Sequence, residues 1–149
     1  SPDMPEIIPS PKEIKAYRRR QKALERQYGF AYGGYLIRAP RDAQEIIQEG
    51  KALRHCVGGY ADRHMRGVLA ILFLRSEKNS DEPLCTIEMN GIHMVQIHGY
   101  MNDRGGPDPM EAYASILDKW LPWVEAGSQR DQQGRPVLPE TEKVKVRTA

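Results

Sequence analysis

Little in this sequence announces a chemistry. Two cysteines, Cys56 and Cys85, among 149 residues are too few for a disulfide framework. With no Cys-x-x-Cys or His-x-x-x-His pair, the four histidines do not outline a metal site either. No apolar run nears the roughly 20 residues that a membrane helix needs. The longest, Val68–Leu74, is strand-sized. The net charge of +2, from 22 basic and 20 acidic residues, is too small to imply nucleic acid by itself. The opening Ser-Pro-Asp-Met-Pro-Glu has neither a basic n-region nor an apolar h-region, so the chain reads as cytoplasmic, with reduced thiols and no membrane contact. Gly58-Gly59 lacks Gly-x-Gly-x-x-Gly or Walker spacing, and no cofactor is expected.

What is present is an ordinary globular composition, 40% hydrophobic and 28% charged, at a length that favours one core. Charge is unevenly placed. Lys12, Lys15, Arg18, Arg19, Arg20, Lys22 and Arg26 stand against only Glu13 and Glu25, a local excess of five positive charges (seven minus two). Ser10-Pro11-Lys12-Glu13 has the form of a capping box with Pro at the first helical position, which predicts that a helix starts there and that Gly29 ends it. Such a basic helix is either a phosphate-contacting face or the solvated side of a docked helix. The organisation expected is a basic N-terminal helix over 1–29, an α+β domain over 30–126 and a polar C-terminal tail over 127–149, extended or mobile.

Within the domain, Tyr35–Arg38 reads as a short strand and Asp42–Leu53 as a helix, despite Gly50 at a cost of about 1 kcal/mol relative to Ala. A turn and short helical stretch follow to about Arg66, with His64 read as a surface residue. Val68–Arg75 is apolar on both faces, as in a covered central strand. Asn90-Gly91 between Leu84–Asn90 and Ile92–His98 predicts a tight hairpin. A two-residue loop there pairs Met89 with Ile92, Ile87 with Met94 and Cys85 with Gln96. Alternation then puts Cys85, Ile87, Met89, Met94, Gln96 and His98 on one face, with Thr86, Glu88 and His93 on the other. Asp108-Pro109 opens a last helix to about Glu125, with Trp120 and Leu121 on its apolar face. The fold class is α+β: a small, mainly antiparallel sheet of three or four strands with a central hairpin, flanked by helices.

Four blocks carry a resemblance. They are His55-Cys56-Val57-Gly58-Gly59-Tyr60, the apolar strand ending in Arg75, Thr86-Ile87-Glu88, and Gln96-Ile97-His98-Gly99-Tyr100-Met101-Asn102. In order and spacing they resemble the PcfJ-like family, across roughly Glu49 to Asn102. The resemblance implies a setting on conjugative plasmids and other mobile elements, phage included, rather than a particular reaction.

Two functions of different class fit these residues. In the first, the protein is an accessory or binding protein of a mobile element that contacts nucleic acid or a DNA-processing partner through Lys15, Arg18, Arg19, Arg20 and Lys22. In the second it is a cysteine-dependent enzyme of hydrolase or transferase type. The order Cys, His, Asn is that of papain-like hydrolases, with Cys56 as nucleophile, His98 as base, Asn102 as orienter and Gln96 as oxyanion donor. Against this stands a plainer reading in which Cys56 is a small apolar residue at a helix–turn junction and Gln96 and Asn102 bond loop backbone. Glu88 and Arg75 read as members of ion pairs, Arg75 at the surface.

Overall fold

Five strands follow one another as neighbours in an antiparallel sheet: β1 (Phe30–Tyr32), β2 (Tyr35–Arg38), β3 (Ala70–Ser76), β4 (Cys85–Asn90) and β5 (His93–His98). The computed structural model describes residues 8–140; residues 1–7 and the last nine residues of the tail lie outside the described residues. The α+β class stands, with five strands rather than three or four. The additional one is β1, only three residues long, which pairs with β2 through a turn at Gly33-Gly34. Both glycines have positive φ, +62° and +87°, which this tight turn between neighbouring strands requires.

Helices cover both faces. α1 (Pro11–Tyr28) starts at Ser10 with the expected capping box, Ser10 Oγ accepting from the Glu13 amide and Glu13 accepting from the Ser10 amide. Its buried residues are Tyr17, Leu24 and Tyr28. The last helix is interrupted at Tyr113 into α4 (Pro109–Ala112) and α5 (Ala114–Glu125); the helix between β2 and β3 runs Ala43–Leu53 and is called α2 here. One core joins Leu24 and Tyr28 to the Leu72, Leu74, Ile87 and Met89 face of the sheet and to Trp120 and Trp123 of α5. The Trp120 indole donates to the Tyr28 carbonyl at 2.8 Å, fixing helix to helix. On the other face Ile46 and Ile47 of α2 pack with Val57, Ile71 and Phe73.

α2 leads through a 3-10 turn (Cys56–Tyr60) into α3 (Ala61–Met65). His64 on α3 is fully buried, not a surface residue. Its Nδ1 accepts from the Ile71 amide at 2.9 Å, which puts the ring proton on Nε2, 2.7 Å from the Tyr17 hydroxyl. Tyr17 in turn donates to the Pro40 carbonyl. Burial, with a smaller contribution from Arg20, holds the His64 pKa down at about 3. His64 is therefore a neutral clamp between α1, α3 and β3.

Of the tail, residues 127–140 are described, and there the chain folds back. Arg130 bridges to Pro136, donates to the carbonyls of Glu25, Arg26 and Gly29, and stacks on Trp123. A guanidinium that satisfies the open carbonyls at a helix C-terminus explains why this stretch folds back rather than running extended.

The β4–β5 hairpin corrects the register. Asn90 pairs with His93, so Gly91 and Ile92 form the turn, and Met89 pairs with Met94. Beyond that, Glu88 pairs with Gln96, Ile87 with Ile97 and Thr86 with His98. Val95 is the extra residue of a β-bulge, and one inserted residue inverts the facing of everything after it. Gln96 and His98 consequently share the Thr86 and Glu88 face, not the Ile87 face, and Ile97 enters the core instead. His93, paired with Asn90, stands on the same side as His98 rather than opposite to it.

Candidate functional site

That inversion assembles a cleft of about 330 Å³ between the 3-10 turn and strands β3–β5. The turn contributes His55, Cys56, Val57 and Tyr60; β3 gives Ile71, β4 gives Thr86 and Glu88, β5 gives Gln96 and His98, and Asn102 closes the end. All four sequence blocks, spread over nearly fifty positions, supply this lining. The strand ending in Arg75 gives Ile71 to the lining and carries Arg75 itself into the interior.

The Cys56 turn is seated by backbone packing. A Cβ at Gly50 would lie 3.0 Å from the Gly58 nitrogen and 3.2 Å from the His55 carbonyl, so α2 needs glycine there to admit the turn. His55 caps the turn: its Nδ1 accepts from the Val57 amide at 3.3 Å, and its Nε2 lies 2.9 Å from Thr86 Oγ1. The Thr86 hydroxyl donates to Glu49 at 3.0 Å, so the His55 proton sits on Nε2 and points at Thr86. Burial, the largest influence, lowers the His55 pKa, and nearby His98 adds to the effect. Because His55 occupies the Val57 amide, that amide is not open to an anion.

Below Thr86, Glu49 and Arg75 form a bidentate ion pair, 2.5 and 3.0 Å, that is almost wholly removed from solvent. Arg75 is thus an interior residue rather than a surface partner. Desolvation pushes the Glu49 pKa up, opposed by Arg75 and by the Thr86 hydrogen bond. Arg75 Nε is buried without a partner among the described residues.

His98 Nδ1 lies 2.9 Å from Asp103 Oδ2, and Asp103 Oδ1 accepts from the Gly99 amide at 2.7 Å. The residue that orients His98 is therefore Asp103, and Asn102 lines the cleft beside it. A carboxylate on Nδ1 sets the tautomer and leaves Nε2 for chemistry in the cleft. Met101, Asn102 and Asp103 all have positive φ (52°, 55° and 70°), as does Arg54 (51°) just before His55. Of the five non-glycine residues in that region among the described ones, four flank this cleft; backbone held in such conformations concentrates at functional sites. Gln96 donates to Glu88 at 2.8 Å. Cys56 is exposed, whereas Cys85 is buried and its thiol is pushed up to about 12, mainly by burial. No three His, Cys, Asp or Glu side chains gather as a metal site among the described residues.

A profile of the PcfJ-like protein family matches residues 9–112. The chain belongs to that family. A relative from Listeria innocua serovar 6a, the uncharacterized protein Lin1253/Lin1744, is 30% identical over 108 residues, covering 64% of this chain. The chain spans about a quarter of that relative's length, 24%. No solved structure matches the chain. Among the described residues no helix is long and apolar enough to cross a membrane.

The basic residues divide. Lys12, Lys15, Arg19, Lys22 and Arg26 recur at three- and four-residue spacing, forming one exposed ridge on the side of α1 away from Tyr17, Leu24 and Tyr28. Arg18 is exposed beside it. Arg20 points inward and donates to the carbonyls of His64 and Leu69, both at 3.0 Å. It docks the helix.

Sequence reasoning missed Asp103, His55, Thr86 and Glu49. The Thr86-Ile87-Glu88 block was a signal for Thr86, and adjacency to Asn102 was the signal for Asp103. Nothing local marks Glu49, which reaches the site only through tertiary packing.

Proposed function

We propose that the cleft is the site of a cysteine-dependent acyl-transfer enzyme, with Cys56 as nucleophile and His98 as base. The observation that carries this is the His98–Asp103 pair in the cleft that Cys56 lines. In the reaction the Cys56 thiol gives its proton to His98 Nε2 and its sulfur bonds to the substrate's carbonyl carbon. The leaving amine or alcohol takes that proton as its bond to the carbonyl breaks. Water or an acceptor nucleophile then displaces the thioester and restores the thiol. Gln96, anchored by Glu88, retains a second N–H for the developing oxyanion.

The test is alkylation of Cys56 against pH in a Cys85→Ala background, followed by intact-mass detection of an acyl-enzyme with ester and amide substrates. Labelling with an apparent pKa well below about 8.5, lost in His98→Ala, supports the assignment. A thiol that labels only on unfolding overturns it.

A second reading rests on the α1 ridge, in which no member is ion-paired among the described residues. This face suits the phosphate backbone of a nucleic acid, or a DNA-processing partner, on a plasmid or phage. Lys15, Arg18, Arg19 and Lys22 are its contacts, without Arg20. Binding to single- or double-stranded DNA then weakens steeply with salt, and replacing Arg19 and Lys22 by Ala lowers the slope by about 2. Salt-insensitive binding, or none, removes it.

A further inference from the structure

The ten side chains lining the cleft include one carboxylate, Glu88, and neither Lys nor Arg. Two guanidinium groups near these segments, Arg54 and Arg63, lie over the rings of Tyr100 and Tyr60 and do not line the cavity. Gln96 occupies Glu88 Oε1. No hydrogen bond to Oε2 is found among the described residues, so a carboxylate oxygen is available on the same sheet face as His98. Ile71, the cross-strand partner of Glu88, joins Val57 and Tyr60 of the 3-10 turn in an apolar wall suited to a methylene chain. The volume, about 330 Å³, is at the low end for small-molecule sites, which run from about 300 Å³ upward. It has room for one amino-acid-sized group.

We propose that Glu88 is the specificity-determining residue of the cleft, selecting substrates that present an alkylammonium or guanidinium group, as a lysine or arginine side chain does. The inference rests on the reading of Cys56 as nucleophile. Anionic groups such as phosphates are disfavoured here, so nucleic acid and cleft substrate are different ligands. Gln96 fixes the carboxylate in place, and the apolar wall holds the aliphatic stem of the cation.

Charge-matched thiosulfonate reagents test this without any turnover. The Cys85→Ala protein is labelled at Cys56 with cationic (trimethylammonium-ethyl), neutral (methyl) and anionic (sulfonate-ethyl) methanethiosulfonates, each rate divided by that for a free small thiol. The expected result is a preference of about tenfold for cation over anion, the scale of one carboxylate a few ångströms away in partly screened surroundings. Glu88→Gln, which keeps the shape and the Gln96 partner, abolishes the preference, and Glu88→Lys reverses it. Equal normalised rates in the parent protein overturn the proposal, as does a preference that survives in Glu88→Gln. The pH profile of Cys56 alkylation is read separately. A low thiolate pKa with no charge preference removes the specificity assignment and leaves the nucleophile. A charge preference with an ordinary thiol removes the nucleophile and leaves a cation-binding cleft. The Glu88→Gln fold is checked by its melting temperature.

Discussion

His98 and Asp103 are five residues apart and joined through Nδ1 and Oδ2 at 2.9 Å, because the chain between them turns through consecutive left-handed residues. The strand end and the loop thereby form one rigid unit, with the Gly99 amide held by the same carboxylate. Replacing Asp103 by Asn keeps the shape but offers a neutral partner that no longer stabilises an imidazolium. The expected outcome is a loss of acyl-transfer rate of at least about tenfold with an unchanged melting temperature. Full activity in Asp103→Asn would show that His98 needs no carboxylate.

The two thiols differ by environment. In native protein one thiol equivalent reacts readily with a disulfide reagent and maps to Cys56, while Cys85 reacts only after denaturation, since burial pushes its pKa up to about 12. Peptide mapping after a short alkylation pulse measures this. Labelling of Cys85 at a comparable rate would contradict its sealed position.

His64 makes folding sensitive to acid. Its folded pKa, about 3, lies below the ordinary value of 6.5, so between these limits the unfolded chain binds more protons. Stability therefore falls as pH drops from 6.5 towards 3, by a few kcal/mol at most, on the order of 4. Urea titrations at several pH values measure the slope. His64→Gln should be less stable at pH 7 yet flatter in this window, and an equally steep variant would place the acid sensitivity elsewhere.

The Glu49–Arg75 pair predicts non-additivity. Arg75→Met leaves a buried carboxylate unmatched and costs about 3–5 kcal/mol. Removing Glu49 as well, as Leu, recovers much of that loss, because the double variant buries no unpaired charge. Chemical denaturation of the single and double variants checks the cycle. Simple addition of the two losses would mean that the charges act independently.

Gly50→Ala sets helix propensity against contact. Alanine gains up to about 1 kcal/mol in a helix interior, but its Cβ meets the Gly58 nitrogen at 3.0 Å. We expect a net loss of stability together with an altered Cys56 alkylation rate, since the turn must lift away. A more stable variant with unchanged labelling would show that the turn gives way freely.

Much of this was legible in local patterns: the Ser10 capping box, the central strand, the hairpin and the Trp120 face each follow from a short-range rule. Cys56, Gln96, His98 and Asn102, chosen from the sequence, all line one cleft in the structure. The rest depended on contacts that local patterns do not encode. Gly50 looked like a flaw in a helix because its reason is a turn packed against it. His64 looked exposed on a short polar helix because Tyr17, far off in sequence, supplies its partner. Alternation placed Gln96 and His98 in the core because no residue type signals the bulge at Val95.

That bulge has a consequence for how such a sequence can change. Val95 lines none of the cleft and pairs with no residue of β4, so it is the spare link of β5. Delete it and the ladder closes into plain alternation with its partners unchanged: Glu88 still faces Gln96, Ile87 still faces Ile97 and Thr86 still faces His98. A single-codon deletion here would therefore keep the histidine and the amide in the cleft: the bulge is slack that β5 can lose without turning a side chain over.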